Sequence, residues 1–426
     1  MVMLQIIIHV IVLDLLLISQ SILIMLAHTT HMLSQKVANM SESATIKMAQ
    51  KARDLKAQGH DVISLSLGEP DFGTPTHIIE AAKKALEEGF TKYTPVPGLL
   101  EYREAISRKF KRENNLDYGV DEIVVSNGAK QCIANLCLAL LNEGDEVVIL
   151  APYWVSYFEI VKFAGGVPIV VSAGIDQDFK VNADQLKAAI THKTKAVLFS
   201  SPCNPTGSVY TESELASLAE VISADNDIMV ISDEIYEHIN FGDKHVSIGA
   251  MAGMKERTIT VNGMSKGFSM TGWRLGYMGA PKWLAKACSK IQGQFTSGAA
   301  AFSQKAAAYA LDADLGPTKE MAEAFLRRKQ LVLDGLKEIP GMKVNNPQGA
   351  FYVFPDVSAF FGKTNGKTII DNADDFAEVI LEEAHVGLVT GSAFGDKNCV
   401  RLSYAASDEK LLEAIARIKE TLSTYA

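Results

Sequence analysis

The sequence predicts an α/β fold: a large domain with a mainly parallel sheet flanked by helices, and a smaller α+β domain. Three observations carry this. Between residues 122 and 279, short apolar runs rich in Val, Ile and Leu alternate with amphipathic stretches of helical length. Beyond about Gly316 the order changes to helix, mixed strands and helix, a shift that marks a second domain. With 426 residues, 48% hydrophobic and 21% charged, the chain can bury a large core divided between two domains.

Taken in order, residues 1–31 stand apart as a hydrophobic extension. From 4 to 26 the chain is almost entirely aliphatic and long enough to span a bilayer. Yet Asp14 sits near the middle, His9 interrupts it, and no Lys or Arg occurs before Lys36. A signal peptide wants a positive n-region, and an anchor wants flanking positive charge. Three readings compete: an anchor, a cryptic signal, or translation upstream of a start at Met32. The last is preferred, because a globular sequence reads cleanly from Met32 onward.

Residues 32–75 form an N-terminal segment expected to join the small domain. Within it, 43–58 reads as an amphipathic helix closed by Gly59, and 62–67 as a strand running into Gly68-Glu69-Pro70-Asp71-Phe72. Residues 76–316 form the large domain. Thr74-Pro75 opens its first helix, with Pro at the first position, and Gly89 ends it. A turn-rich loop, 92–98, precedes the amphipathic helix Leu100–Asn114. The expected strands are 122–126, 146–150, 168–171, 195–200, 227–231, 258–261 and 275–279. Helices between them cover 130–141, Ala183–Ala189 and 212–224. Residues 317–426 form the small domain: helix 318–337, strand 350–354, helix 374–383, strand Val400–Ser403 and helix 409–425.

Charge and thiols narrow the class. A net charge of −9 and the lack of a basic run argue against nucleic-acid binding. Cys132, Cys137, Cys203, Cys288 and Cys399 show no metal-ligand spacing, so no metal site is expected. Sparse, odd-numbered cysteines suit reduced thiols in the cytoplasm.

In open α/β sheets, ligands bind beyond the carboxyl ends of the strands, and polar residues collect at those ends here. After 122–126 comes Asn127-Gly128-Ala129-Lys130, opening a helix. Glycine there exposes backbone N–H groups, and the helix dipole adds positive charge, so the turn can seat a phosphate. After 146–150 comes Ala151-Pro152-Tyr153-Trp154; the indole is ordinary core or a flat face for stacking. After 195–200, Asn204-Pro205-Thr206-Gly207 is either a simple turn or a loop presenting the Asn204 amide. After 227–231, Asp233 is a carboxylate costly to bury unless something cationic meets it, and Tyr236 follows.

After 258–261 comes Gly263-Met264-Ser265-Lys266-Gly267-Phe268-Ser269-Met270-Thr271-Gly272-Trp273-Arg274-Leu275-Gly276. A lone Lys in a loop is ordinarily a surface charge. At the end of a buried strand, desolvation would lower its pKa and make it nucleophilic, as a Schiff-base lysine requires. Arg274 could hold a phosphate by a charge-assisted fork. Late in the chain, Val400 and Leu402 share one strand face, Arg401 and Ser403 the other. Arg401 is then either a solvated charge or a planar fork for a carboxylate.

The lysine stretch resembles, at every position, the pyridoxal-phosphate attachment signature of class I and II aminotransferases. Together with Gly68-Glu69-Pro70-Asp71, Asn204-Pro205-Thr206-Gly207, Asp233-Glu234-Ile235-Tyr236 and Arg401-Leu402-Ser403, it makes the chain from residue 43 onward similar to fold-type-I pyridoxal-phosphate enzymes. The bacterial branch of the aspartate aminotransferases is the nearest in pattern. The resemblance implies that Lys266 carries the cofactor, Asp233 holds its pyridine nitrogen, and Asn204 and Tyr236 hold its ring oxygen. It implies that Trp154 stacks on the ring, and that Arg274 with Gly128, Ala129 and Lys130 holds the phosphate. Catalysis falls to Lys266, Asp233 and Tyr236. Gly68, Trp154, Asn204 and Arg401 resemble the amino-acid contacts, and Lys130 a contact to a distal carboxylate. Tyr93 resembles a tyrosine that reaches the phosphate of a neighbouring subunit, which implies a homodimer with shared sites.

The implied reaction moves the amino group of L-aspartate to 2-oxoglutarate by a ping-pong mechanism. Relatives that also accept prephenate tend to carry Lys-Pro where this chain has Ser41-Glu42, a departure that counts against prephenate. Aromatic, alanine or prephenate/glutamate specificity on the same scaffold is the rival. A pyridoxal-phosphate-sensing regulator would need a DNA-binding helix-turn-helix ahead of Met32, where no basic element occurs. A dinucleotide dehydrogenase is disfavoured, since no Gly-x-Gly-x-x-Gly follows the early strands. Membrane association is expected only if residues 4–26 are an anchor.

Overall fold

The computed structural model describes residues 32–224 and 227–426. The aliphatic stretch 4–26, and with it the choice among anchor, signal and upstream start, lies outside them. The chain falls into two units, Met1–Glu42 and Ser43–Ala426. In the first, the described residues form one short helix, Gln35–Ala38, begun by Ser34, whose Oγ accepts from the Val37 N–H. The second unit carries the sheets and the site.

Seven strands build the main sheet: β1 (Ile123–Ser126), β2 (Glu146–Ala151), β3 (Val167–Ser172), β4 (Thr194–Ser200), β5 (Met229–Asp233), β6 (Thr258–Gly263) and β7 (Gly276–Gly279). Their order is β1-β7-β6-β5-β4-β2-β3. Only β7 runs against its neighbours; β3, β2, β4, β5 and β6 pair in parallel. Both faces are covered, which is why the strands read as continuous apolar runs rather than alternating ones. Val147, Ile149, Leu198, Ile231 and Ile259 pack on one face against helices Ala129–Leu140 and Lys282–Phe295. Val148, Leu150, Val197, Phe199 and Val230 pack on the other against Ala183–Ala189 and Glu212–Ser223. Ile123, Val125 and Tyr277 bury against Thr76–Glu87, Leu100–Asn114 and Ala301–Asp312.

All seven expected strands form, with shifted ends. The strand expected at 227–231 runs to Asp233, because its ladder continues: Ser200 pairs with Asp233, and Asp233 with Val261. That register sets three strand ends side by side. The run 62–67 yields only Ile63–Ser64, which pairs in parallel with Val386–Gly387 at a two-stranded edge. The run 350–354 shrinks to Tyr352–Val353, since Ala350 sits at φ +58°, outside any extended strand. Helix 318–337 starts earlier, at Gly316, with Pro317 in its first turn. Helices Ser156–Phe163, Lys282–Phe295 and Ala301–Asp312 were not anticipated. In the last, Ala301, Ser303, Gln304, Ala306, Ala307, Ala310 and Leu311 are all buried, so no polar stripe marks it as a helix.

Residues 350–404 add a three-stranded antiparallel sheet, Val389–Thr390 beside Val400–Ser403 beside Tyr352–Val353. Arg328 grips Asp71 with both terminal nitrogens at 2.7 and 2.9 Å, tying the 68–75 loop to helix Gly316–Lys337. Among the described residues no helix is long and apolar enough to cross a membrane. All five cysteines are free.

Phe325 is the apolar hinge of that tie. It is fully buried, edge-on to Phe72 at 5.5 Å and 5.0 Å from Phe351. Phe325→Ala is expected to lower the unfolding free energy by about 3–5 kcal/mol, and Phe325→Leu by markedly less, in urea titrations.

Candidate active site

The sheet delivers its polar ends into a cavity of about 350 Å³ lined by Gly68, Ala129, Lys130, Trp154, Asn204, Asp233, Tyr236, Lys266, Arg274 and Arg401. Ten of the twelve residues expected at the site therefore line one space. Gly128 stands directly behind it. Tyr93 does not enter it: its ring is 96% exposed.

Lys266 lies three residues past β6 and is half-buried, its Nζ donating to the Gly68 carbonyl. Burial, then the charges of Arg401 and Arg274, lower its pKa to about 8, with Glu69 and Asp233 opposing. Asp233, last residue of β5, is 4% exposed. Tyr157 Oη donates to its Oδ2 at 2.7 Å and the Ile235 N–H to its Oδ1 at 3.2 Å. Burial outweighs both bonds and raises this carboxyl to about 6. The cavity thus holds an amine biased toward neutrality and a carboxylate in want of a cation.

Arg401 settles its own alternatives. Every residue of Val400–Ser403 is buried, and Arg401 is 1% exposed, so the solvated-face reading fails. Its Nη1 donates to Asn204 Oδ1 at 2.9 Å and its Nη2 to the Ser66 carbonyl at 2.6 Å. The guanidinium lies 4.6 Å over the Tyr352 ring, and its Nε is buried without a partner. Lys130 Nζ lies 4.8 Å over the Trp154 ring, its pKa lowered by burial and by Arg274. Among the described residues neither Lys130 nor Arg274, Lys266 or Arg401 forms an ion pair.

The phosphate seat is built by close approach. Gly128, at φ +86°, caps helix Ala129–Leu140, and a Cβ there would stand 2.3 Å from Arg274 Nη2. A Cβ on Gly276 would meet the Ala129 backbone nitrogen at 2.1 Å. Arg274 itself is held at φ +56° by donating to the carbonyls of Thr271 at 2.9 Å and Asn127 at 3.2 Å.

Asn204 Oδ1 accepts from Arg401, leaving its amide nitrogen for the cavity. Tyr236 Oη pairs with Tyr352 Oη at 2.7 Å. Tyr352 and Tyr157 were missed, because an aromatic inside an apolar run reads as core. Tyr352 also explains Gly68, whose Cβ would lie 2.5 Å from the Tyr352 hydroxyl. Ser43, Thr45 and Ile46 line the cavity as well, from a helix start that carried no local signal of a site.

A helix N-terminus beside an arginine, a buried carboxylate and a softened lysine make the constellation of a family that binds a phosphorylated pyridine. The profile of aminotransferase class I and II matches residues 60–418. The chain belongs to that family. It is 46% identical to the aspartate aminotransferase of Geobacillus stearothermophilus over 397 residues, 92% of this chain and 100% of the relative. It is 47% identical to an aspartate/prephenate aminotransferase of Cereibacter sphaeroides over 393 residues, 91% of this chain and 98% of the relative. The crystal structure of the aspartate aminotransferase from Rhizobium meliloti superposes with a TM-score of 0.90 at 41% identity, covering 92% of this chain and 99% of that one.

This aminotransferase uses pyridoxal phosphate, and its residues fit that group. The glycine-lined turn under Arg274 leaves room that a side chain would fill, Asp233 offers a buried anion, and Lys266 an amine near neutrality. Lys266 is charged below about pH 8 and nucleophilic above it. Covalent attachment of pyridoxal phosphate to the apoprotein, read by mass after borohydride reduction, should therefore accelerate roughly 50-fold from pH 6 to pH 8 and then level off. Lys266→Arg should abolish it, and a rate flat across that range would contradict the assignment.

Proposed function

We propose that this aminotransferase moves the amino group of L-aspartate to 2-oxoglutarate, giving oxaloacetate and L-glutamate. One observation carries the choice of a dicarboxylic substrate: buried Arg401 and exposed, partly desolvated Lys130 line the same cavity, and neither is ion-paired among the described residues. A buried guanidinium without an anion costs free energy until one meets it, and Lys130 adds a second cation to the same cavity. A substrate with two carboxylates meets both, the α-carboxylate on the Arg401 fork and the distal one on Lys130.

Pyridoxal phosphate, when bound, supplies an electron sink for negative charge at the substrate Cα. The protein does the rest. Arg274 and the Gly128-Ala129 turn would hold the phosphate, Trp154 would cover the ring, and ionised Asp233 would keep the pyridine nitrogen protonated. The Asn204 amide and Tyr236 would serve the ring oxygen. Lys266 Nζ is the base that takes the Cα proton and later returns it. Its lowered pKa leaves much of it neutral in the slightly alkaline range where Asp233 is already ionised.

The enzyme acts, in this reading, as a cytoplasmic homodimer, with 76–316 as the cofactor-binding domain and 317–426 as the smaller one. Support for the dimer comes from exposed Tyr93 and from an open groove of about 620 Å³ that shares Glu69, Thr271 and Arg274 with the cavity. A neighbour's Tyr93 would enter there. Sedimentation at twice the chain mass, and weaker cofactor retention in Tyr93→Phe, are the expected results; a monomer with full activity would sink the shared site. Cell fractionation tests the compartment.

Lys130→Ala should raise the KM for L-aspartate about 30- to 100-fold while leaving that for L-alanine within a fewfold. Arg401→Ala should impair both substrates alike. Equal losses for aspartate and alanine in Lys130→Ala would move the specificity to a neutral amino acid.

A further inference from the structure

Behind the cavity, on the reverse of the turn that carries Asp233 and Tyr236, lies a buried ionic cluster that touches neither cofactor nor substrate. Lys109, on the inner face of helix Leu100–Asn114, is 0% exposed. Its ammonium donates to Glu237 Oε1 and, at 2.7 Å, to Asn114 Oδ1, with Glu113 at 3.6 Å. Asn114 Nδ2 donates to Glu237 Oε2 at 2.7 Å and to Ser247 Oγ at 3.0 Å. Glu234 is 1% exposed and accepts from Ser247 Oγ at 2.5 Å and Ser232 Oγ at 3.0 Å, with His245 Nε2 at 2.8 Å. His238 Nε2 stands 3.0 Å from Glu113 and 3.7 Å from Glu237.

The turn is therefore two-sided. Asp233 and Tyr236 face the cavity, while Glu234 and Glu237 face the cluster. The backbone locks the two sides together, the Glu237 N–H donating to the Glu234 carbonyl at 3.0 Å and the Glu234 N–H to the Val261 carbonyl at 2.8 Å. Three carboxylates (Glu113, Glu234, Glu237) meet one buried cation, Lys109, and two histidines, His238 and His245, while the exposed Arg112 also pairs with Glu113.

We propose that Lys109 is a positioning residue for the cofactor: by neutralising Glu237 and pinning the 233–237 turn to helix Leu100–Asn114, it keeps Asp233 and Tyr236 aimed into the cavity. Without the ammonium, Glu237 would stay charged and unpaired in the interior, or take a proton and give up the bonds that fix the turn. Burial works against Glu237, yet Lys109 leads His238 and His245 in holding it down to about 2. Glu234, joined to the same cluster by the Asn114 Nδ2 donation at 3.2 Å, is the carboxylate whose charge pushes Asp233 upward, alongside burial.

This inference rests on the pyridoxal-phosphate reading, and the test separates the two. Apoprotein of the parent, of Lys109→Met and of the double variant Lys109→Met/Glu237→Gln is titrated with pyridoxal phosphate, followed by absorbance. The pH dependence of the bound cofactor's spectrum is recorded for each. Lys109→Met should weaken binding by about tenfold or more and shift the spectral midpoint. The double variant, which removes both charges together, should return to within about threefold of the parent. Parent-like binding in Lys109→Met, or a double variant as weak as the single, overturns the proposal. So does failure of both variants to fold, by circular dichroism, since Lys109 would then serve the fold alone. A parent that takes up no pyridoxal phosphate overturns the functional reading and this proposal with it.

Discussion

The structure depends on holding unlike charges out of water at the carboxyl end of one parallel sheet. Asp233 ends β5, Lys266 follows β6, and the ladder sets Ser200, Asp233 and Val261 abreast. Neither charge is at ease there. Burial raises the carboxyl and lowers the amine, and the arginines nearby lower the amine further. Perturbed charges of this kind cluster where a ligand resolves them. A cofactor that is anionic at its phosphate and cationic at its ring nitrogen resolves both ends of the conflict.

The scaffold explains how the strain is carried. Helices on both faces make the sheet rigid, so residues at its strand ends hold their places without help from one another. The glycines at 128 and 276 let β7 and helix Ala129–Leu140 approach until a side chain would no longer fit, which seats Arg274 over the helix N-terminus. From the other side, the three-stranded sheet brings Arg401 in on a fully buried strand, backed by Tyr352 and Phe394. The cavity lies where these two constructions meet within Ser43–Ala426.

Much of this was legible in the sequence. Gly128, Asn204 and Lys266 each had an ordinary reading alone, a turn or a surface charge; their succession at strand ends together with Asp233, and the resemblance of the lysine stretch, singled them out. Arg401 was legible as one of two alternatives, and only burial decided between them. What stayed hidden shares a cause: residues whose local pattern is ordinary. Tyr352 and Tyr157 look like core aromatics. Lys109 and Asn114 look like the polar side of an amphipathic helix, and only the packing of that helix shows that they face inward. Helix Ala301–Asp312 sets Phe302 and Tyr309 on its outward line with Lys305 and Asp312, and mostly Ala inside, which blurs the periodicity that would announce it. Asp233's place inside β5, rather than after it, depends on a ladder with β4 and β6 that no single strand encodes.

The central claim is that the cavity holds pyridoxal phosphate for exchange with a dicarboxylic amino acid. Its most direct test is the absorbance of purified protein before and after L-aspartate alone, and again after 2-oxoglutarate. The account predicts that aspartate alone removes the band of the lysine-bound cofactor and that 2-oxoglutarate restores it. A band that aspartate leaves unchanged would contradict the substrate, and no cofactor band at all would contradict the role of Lys266.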